Sequence, residues 1–297
     1  MNDRLCTQIV LACQLTFFLL LNTTESLALE KEQRIRYTTN YQGRAISIII
    51  EGEIEKGDAD YFLELIKRHK GELETVHLMS PGGSAVEAIK IGRIIRSLKM
   101  TTFAPLVSPS QPNCPHKPIE PQNCTCTSAC FFVYVSGYQR YGHVLGIHRV
   151  FVRHDYLKKY SESEALTSSK EAKEIVTTYF NEMGVPSLFL DRALSTASGQ
   201  IDFLSKNEIN KYFTGYIPEY AEWLTARCGD TAKLWGEEKK VMVNSRYYNE
   251  FKNRPYSDLL AKDPQVSLAN QKTKQANKCK DEISKNMRRE AYKKIYQ

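Results

Sequence analysis

The feature that most constrains the fold is an alternation of two apolar periods between residues 45 and 106. Ala45–Ile54 is rich in β-branched residues and is typical of a buried strand. Asp58–His69 and Ser84–Leu98 repeat their apolar residues at helical spacing, whereas Glu74–Met79 and Thr101–Leu106 again favour strands. Strands joined by helices of this length pair in parallel, because the crossover returns the chain to the same end of the sheet. The sequence therefore predicts an α/β fold.

Downstream of this core the segments are shorter and more varied. Residues 108–125 hold five prolines and two cysteines without an apolar period, which predicts a loop insertion. Ser128–Val135 is strongly apolar, and Val144–Ile147 favours a short strand. Helices are predicted at 158–183, 186–196 and 203–212, the last with Ser205 as N-cap and Glu208 completing a capping box.

Three segments in this order carry residues suited to chemistry. Ser80-Pro81-Gly82-Gly83 ends a predicted strand and precedes an amphipathic helix. The segment 126–137 places Ser128 between small residues at the start of the apolar run and ends in a glycine. Gly146-Ile147-His148-Arg149 brings a histidine to the end of a predicted strand. A glycine turn, a serine and a histidine are together the parts of a nucleophilic site.

These three segments resemble the Clp-protease/crotonase superfamily, in which a strand-ending glycine turn is followed by a serine opening a buried helix and a strand delivering the histidine. The resemblance covers roughly Ala45 to Gly215 and implies a spiral of ββα units, here with a helical C-terminal extension. The stretch from Gly137 to His148 is shorter than in soluble Clp peptidases, the loop at 108–125 is extra, and two cysteines flank the serine. In these features the sequence resembles an exported, ClpP-like branch of the superfamily.

The resemblance implies a role for each residue of the site. Ser128 would be the nucleophile and His148 its base, since a serine hydroxyl reacts only when a base takes its proton. The N–H groups of Gly83 and Ala129 would hold the oxyanion, Ala129 from the positive end of a helix dipole. No metal and no cofactor is part of this scheme.

The third member of the catalytic triad is expected in the segment Gln200–Ser205, which resembles the family's aspartate segment. Asp202 is the candidate, one residue closer to the phenylalanine than in the family. A one-residue shift could be absorbed in a loop, but in a strand it would point the carboxylate away. Asp155 and Asp191 are weaker candidates.

The N-terminal 28 residues predict a secretory signal. Ile9–Leu21 is apolar, and Ser26-Leu27-Ala28 offers small residues for cleavage after Ala28. The alternative is an uncleaved anchor. The signal predicts a periplasmic or secreted protein.

Cysteine usage agrees with export. Two of the eight cysteines lie in the predicted signal, and the remaining six are candidates for disulfides. Cys114 and Cys124 would pair with each other or with Cys126 and Cys130, whereas Cys228 and Cys279 would form the pair of the C-terminal region. The alternative is a zinc site on the first four cysteines with His116 nearby, at a spacing that matches no common zinc finger.

Charge divides the chain into regions. Residues 228–297 carry 16 Lys and Arg against nine Asp and Glu, an excess equal to the net charge of +7 of the whole chain. We expect a signal peptide at 1–28, a ClpP/crotonase-like domain at 29–220 and a basic, mainly helical extension at 221–297. The extension is either a solvated face or a binding surface for an anionic partner.

The sequence therefore predicts an exported serine peptidase acting on a peptide or protein substrate, with room for a homo-oligomer. No Walker-type G-x-x-x-x-G-K-[ST] motif occurs, so no ATPase of its own is predicted. The alternative is a catalytically silent module that binds a peptide or partner in the same cleft. A third interpretation, crotonase-type chemistry on an acyl-CoA, needs a coenzyme that exported compartments lack.

Overall fold

The computed structural model describes residues 34–39, 42, 45–69, 73–107, 112–150, 161–197 and 199–295. The chain divides into two compact units after Thr214. The predicted signal peptide at 1–28 lies outside the described residues, as do positions 108–111 of the predicted loop insertion.

The first unit is a mixed α/β structure. Its strands are β1 (Ile35–Thr39), β2 (Ala45–Glu51), β3 (Thr75–Met79), β4 (Thr101–Phe103), β5 (Leu106–Val107), β6 (Pro112–Asn113), β7 (Cys126–Thr127), β8 (Gln139–Tyr141), β9 (Leu145–Ile147) and β10 (Asp202–Phe203). Its helices are α1 (Asp58–Arg68), α2 (Ala85–Ser97), α3 (Ala129–Val135), α4 (Glu162–Glu182), α5 (Ser187–Ser195) and α6 (Lys206–Tyr212), with a 3-10 turn at Pro121–Asn123.

The main sheet of this unit has the order β1-β2-β3-β4-β8. Strands β2, β3, β4 and β8 pair in parallel, and β1 adds an antiparallel edge. The helices α1 and α2 connect the parallel strands, as right-handed crossovers do in α/β proteins. The strand and helix alternation predicted between residues 45 and 106 is therefore confirmed, whereas β1 and β8 were not predicted.

The apolar run 128–135 forms α3, and all seven residues of this helix are buried. Three polar contacts hold it from neighbouring helices. Arg96 donates from Nε to the Ser136 carbonyl oxygen at 2.8 Å and from Nη2 to that of Val135 at 2.9 Å. The Tyr179 hydroxyl donates to the Phe132 carbonyl oxygen at 2.8 Å. Buried carbonyls at the end of a helix need such donors, so α3 is fixed in position as well as buried.

A second, three-stranded sheet of order β10-β9-β7 carries the predicted site. Strand β9 pairs in parallel with β7 and antiparallel with β10. The helix predicted at 203–212 begins later, at Lys206, because Phe203 belongs to β10. The capping box of Ser205 and Glu208 is present as predicted.

The second unit is helical. After the short strand β11 (Gly215–Tyr216) it contains α7 (Pro218–Cys228), α8 (Thr231–Asn244), α9 (Tyr248–Phe251), α10 (Tyr256–Lys262) and α11 (Pro264–Ile295). A disulfide between Cys228 and Cys279 joins α7 to α11. The buried Glu238 accepts hydrogen bonds from Tyr256 and Asn270, which links α8 to the two last helices. Among the described helices none combines the length and the apolar character that crossing a membrane requires.

Candidate active site

Ser128 occupies a sharp turn between β7 and α3. Its backbone has φ 56° and ψ −125°, a conformation that residues other than glycine rarely adopt. Such a conformation costs about 1 to 3 kcal/mol and persists only where the surrounding structure enforces it. Among the described non-glycine residues, Lys99 alone shares a positive φ. A strained strand-to-helix turn presenting a serine is the geometry of a nucleophile elbow.

Backbone hydrogen bonds enforce the turn from both sides. The Ser128 N–H donates to the Gly146 carbonyl oxygen at 3.0 Å, and the Phe131 N–H donates to the Ser128 carbonyl oxygen at 3.0 Å. The Thr127 hydroxyl donates to the Pro81 carbonyl oxygen at 2.9 Å. The turn is thus tied to β9 and to the glycine turn that follows β3.

The glycine turn lies directly against the serine. Gly82 and Gly83 have φ of 118° and 126°, which glycine adopts without strain. A Cβ on Gly82 would lie 2.6 Å from the Cβ of Ser128, and one on Gly83 would lie 2.2 Å from the carbonyl oxygen of Ile54. Both positions therefore require glycine, for conformation and for space. The Ile54 N–H fixes the turn by donating to the Gly82 carbonyl oxygen at 2.7 Å.

Two N–H groups beside the serine are candidates for an oxyanion hole. They belong to Gly83, in the glycine turn, and to Ala129, in the first turn of α3. Neither donates a backbone hydrogen bond to another of the residues that the structure describes. Ala129 is the first residue of its helix, where the N–H has no partner within the helix. These are the two residues that the resemblance predicts for this role.

His148 follows β9 and is half-buried. Thr127 pairs with Gly146 in parallel register, which places Ser128 and His148 at the same end of adjacent strands. The Nδ1 atom of His148 lies 2.9 Å from the Arg149 carbonyl oxygen. A carbonyl can only accept, so this contact assigns the proton to Nδ1 and leaves Nε2 as the basic nitrogen. That is the tautomer a general base needs.

Asp202 lies in β10, directly opposite Ile147. Both of its carboxylate oxygens accept hydrogen bonds from the Arg192 guanidinium, each at 2.8 Å. Arg192 also pairs with Glu208, and the hydrogen bond to Asp202 is the main reason that the pKa of Arg192 is raised. Side chains alternate along a strand, so Asp202 shares a face with Ile147 and His148 belongs to the other face.

The role of Asp202 as third triad member therefore stays a prediction, with Arg192 as the cation that its carboxylate contacts. Asp191 is exposed on α5, and Asp155 lies outside the described residues. Arg192 was not among the predicted site residues, because nothing in its helical spacing marks it as a partner of Asp202. The apolar residues on either side of Asp202 indicate more clearly that this segment packs against β9. The side chains of Ile201 and Phe203 crowd the space where a Cβ on Gly146 would lie.

All six cysteines among the described residues are paired. The disulfides are Cys114–Cys124, Cys126–Cys130 and Cys228–Cys279, with Cα–Cα distances of 5.6, 5.1 and 5.6 Å. These pairings are among those that the sequence predicts. Three disulfides indicate an oxidising, extracellular-type environment.

The zinc alternative loses its ligands, because a disulfide sulfur is not a thiolate. His116 instead packs edge-on against His77, with ring centroids 4.4 Å apart. Within the described residues no group of three or more His, Cys, Asp or Glu side chains could hold a metal ion.

No protein-family model matches this chain. A comparison with curated proteins also finds no match. Among solved structures the chain is similar to a ClpP1 mutant from Listeria monocytogenes, with 16% sequence identity and a TM-score of 0.39. The similarity covers 56% of this chain and 86% of that one. A likeness at this level decides neither the family nor the activity.

Proposed function

We propose that this protein is a serine peptidase in which Ser128 is the nucleophile and His148 the base. The observation that carries the proposal is the positive φ of Ser128 at a strand-to-helix turn, held against Gly82. Strained residues of this kind concentrate at active sites, because the strain presents a reactive group in one fixed direction. A serine with only a packing role would not need a strained backbone conformation.

The proposed reaction uses only groups of this site. The Ser128 oxygen attacks a peptide carbonyl while Nε2 of His148 takes the hydroxyl proton, and the carbonyl oxygen becomes an oxyanion. The N–H groups of Gly83 and Ala129 donate to that oxyanion, one such donor typically lowering the barrier by about 3 kcal/mol. The imidazolium then protonates the leaving amine as the C–N bond breaks. Water, deprotonated by His148, hydrolyses the ester on Ser128 and releases the acid.

The Arg149 carbonyl oxygen takes the orienting role in this scheme. In a triad an aspartate holds the proton on the far imidazole nitrogen and stabilises the imidazolium. Here a backbone carbonyl accepts from Nδ1 at 2.9 Å, which fixes the tautomer without supplying a full negative charge. A dyad of this kind is expected to be slower than a complete triad.

The wider setting follows from the sequence motifs and the disulfides. We propose a ClpP/crotonase-like spiral of ββα units for the first unit and an exported, periplasmic or secreted location for the protein. The three disulfides support that location, since such bonds persist in oxidising compartments. The substrate would be a peptide or an unfolded protein. An anionic partner for the basic C-terminal extension also stays a proposal.

The alternative is a catalytically silent module that binds a peptide in the same cleft. The contact between Asp202 and Arg192 favours it, because it directs the carboxylate predicted for the triad to a cation other than the imidazolium. In that case the elbow would keep its geometry without turnover.

Cleavage of an unfolded, fluorescently labelled protein distinguishes the two. The wild type should cleave it, whereas Ser128→Ala and His148→Ala should lose activity by about a thousandfold or more. Ser97→Ala is the matched control, since Ser97 is an exposed serine whose hydroxyl contacts only its own helix, and it should stay within twofold. Cleavage that survives Ser128→Ala would contradict the proposal. Binding by wild type and Ser128→Ala alike, without any cleavage, would establish the silent module.

A further inference from the structure

A buried disulfide encloses the elbow. Cys126 precedes Ser128 by two residues and lies in β7, whereas Cys130 follows it by two residues and lies in the first turn of α3. Both cysteines have no solvent-exposed surface. The disulfide therefore joins the two elements between which the serine turns.

The crosslink restricts the conformations that the elbow can adopt. The Cα atoms of Cys126 and Cys130 are 5.1 Å apart. Four extended residues would separate them by about 13 Å, so the disulfide excludes straightened forms of this segment. If Ser128 left its positive φ for the extended region, the turn would open towards such forms. The disulfide thus opposes this route by which the strain at Ser128 could be lost.

We propose that the Cys126–Cys130 disulfide is a positioning element of the active site, which holds Ser128 in the conformation required for attack. This inference rests on the proposed function for its catalytic consequence. Whether the disulfide holds the backbone of Ser128 in place can be measured separately from catalysis. The cysteines have no step in the proposed reaction, so their proposed effect passes through the backbone of Ser128.

The protein contains a matched control. Cys114–Cys124 lies in the same unit and closes a longer segment, with a sequence separation of 10 against 4. It precedes β7 and does not span the serine. A disulfide that closes a longer loop stabilises the folded state more in the chain-entropy view, so removing it should weaken the fold at least as much. An effect specific to the elbow should follow Cys126–Cys130 alone.

The experiment compares Cys126→Ala/Cys130→Ala with Cys114→Ala/Cys124→Ala and the wild type, each in the full chain and at a temperature where thermal melting shows it folded. Two quantities are measured. The first is hydrogen exchange of the Ser128 amide, which donates to Gly146. The second is the rate at which a fluorophosphonate modifies Ser128. We expect exchange to be at least tenfold faster and modification at least tenfold slower in the elbow variant, and both to stay within twofold in the control.

Three results would overturn the inference. In the first, the elbow variant exchanges and reacts like the wild type. In the second, amides of β3 exchange faster by the same factor as Ser128, which is the signature of general destabilisation. In the third, the loop control slows modification as strongly as the elbow variant.

Two further circumstances keep the test decisive. If the double alanine variant does not fold, Cys126→Val/Cys130→Ala refills part of the space left by the sulfurs and is measured in its place. If the wild type shows no modification at Ser128, the proposed function fails. The exchange comparison then still decides whether the disulfide holds the elbow.

Discussion

Strand β9 is contacted on its two sides by regions of different character. On one side lies the elbow, residues 126–130 with the glycine turn Gly82–Gly83; on the other lies the acid arm, residues 199–203 with Arg192. In the elbow, added atoms at either glycine of the turn would overlap backbone or Ser128, and a disulfide spans the turn. In the acid arm, no described residue beyond the chain neighbours lies within 4 Å of a Cβ on Gly199, and the charged contact is a partly exposed ion pair.

Packing therefore fixes the elbow much more tightly than the acid arm. A buried turn without spare volume has one conformation, because each alternative overlaps a neighbour. An ion pair between half-exposed side chains contributes only about 1 kcal/mol or less, since water competes for both charges. We therefore expect the elbow to be intolerant of small changes and the acid arm to accept them.

The largest expected effect is that of Gly82→Ala. The new methyl group would lie 2.6 Å from the Cβ of Ser128, at a φ of 118° that alanine rarely adopts. Overpacking and backbone strain should together lower the free energy of unfolding by about 3 kcal/mol or more. Denaturant unfolding measures this directly.

Gly199→Ala is the control for this comparison. Among the described residues, nothing beyond the chain neighbours lies within 4 Å of the added methyl group, and the backbone of Gly199 is outside the left-handed region. It should change the free energy of unfolding by less than about 1 kcal/mol. Equal losses from the two substitutions would remove the distinction between the elbow and the acid arm.

The second effect concerns the acid stability of the main sheet, in which His77 lies on β3. Burial, together with the neighbouring His116, lowers the pKa of His77 from 6.5 to about 4. Because the unfolded chain then binds a proton at a higher pH than the folded chain, stability falls as the pH drops from about 6.5 to 4. The loss approaches on the order of 3 kcal/mol, at 1.36 kcal/mol per pKa unit.

Glu208, which pairs with Arg192 of the acid arm, should respond in a lower pH window. The hydrogen bond from Ser205 and the contact with Arg192 keep the pKa of Glu208 below its ordinary value of 4.5. Its contribution is present above that value and is lost only as the pH falls below it.

The His77 prediction is checked by chemical unfolding between pH 7 and 4.5. The free energy of unfolding should fall less over this range in His77→Phe than in the wild type. An unchanged pH dependence in His77→Phe would exclude His77 as its source.

The smallest expected effect is that of Asp202→Asn. The carboxylate contacts Arg192, so the substitution should lower stability by about 1 kcal/mol and slow cleavage no more than about threefold. If Asp202 were a true triad member, the same substitution would instead slow the reaction by about four orders of magnitude. Asp191→Asn, at an exposed position on α5, provides the reference. Cleavage rates of the folded variants decide between the dyad and the triad.

The same contrast explains how much could be predicted from the sequence. The residues of the elbow could be picked out from the sequence because each of its two segments carries a local pattern, a glycine pair after a strand and Ser128 opening an apolar run. The parallel sheet was predictable for the same reason, since strand and helix periods are local. Ser205 and Glu208 were recognised as a capping box, which is also a local signal.

The acid arm was less predictable because no local pattern in the sequence marks its contacts. The short strand β10 forms only through pairing with β9, so the sequence favoured a helix that already began at Phe203. The contact of Asp202 with Arg192 joins residues ten positions apart across a turn. The conformation of Ser128 likewise has no sequence signal of its own, because the φ of a serine is imposed by the surrounding structure.

Whether Ser128 is the nucleophile is tested by covalent modification of the intact, oxidised protein with a fluorophosphonate, followed by intact-mass and peptide mass spectrometry. The strained elbow and the basic nitrogen of His148 predict one adduct per chain, located on Ser128. The adduct should be absent from Ser128→Ala and formed far more slowly in His148→Ala. A wild type that forms no adduct, or a Ser128→Ala variant that forms one equally well, would contradict the assignment of Ser128 as the nucleophile.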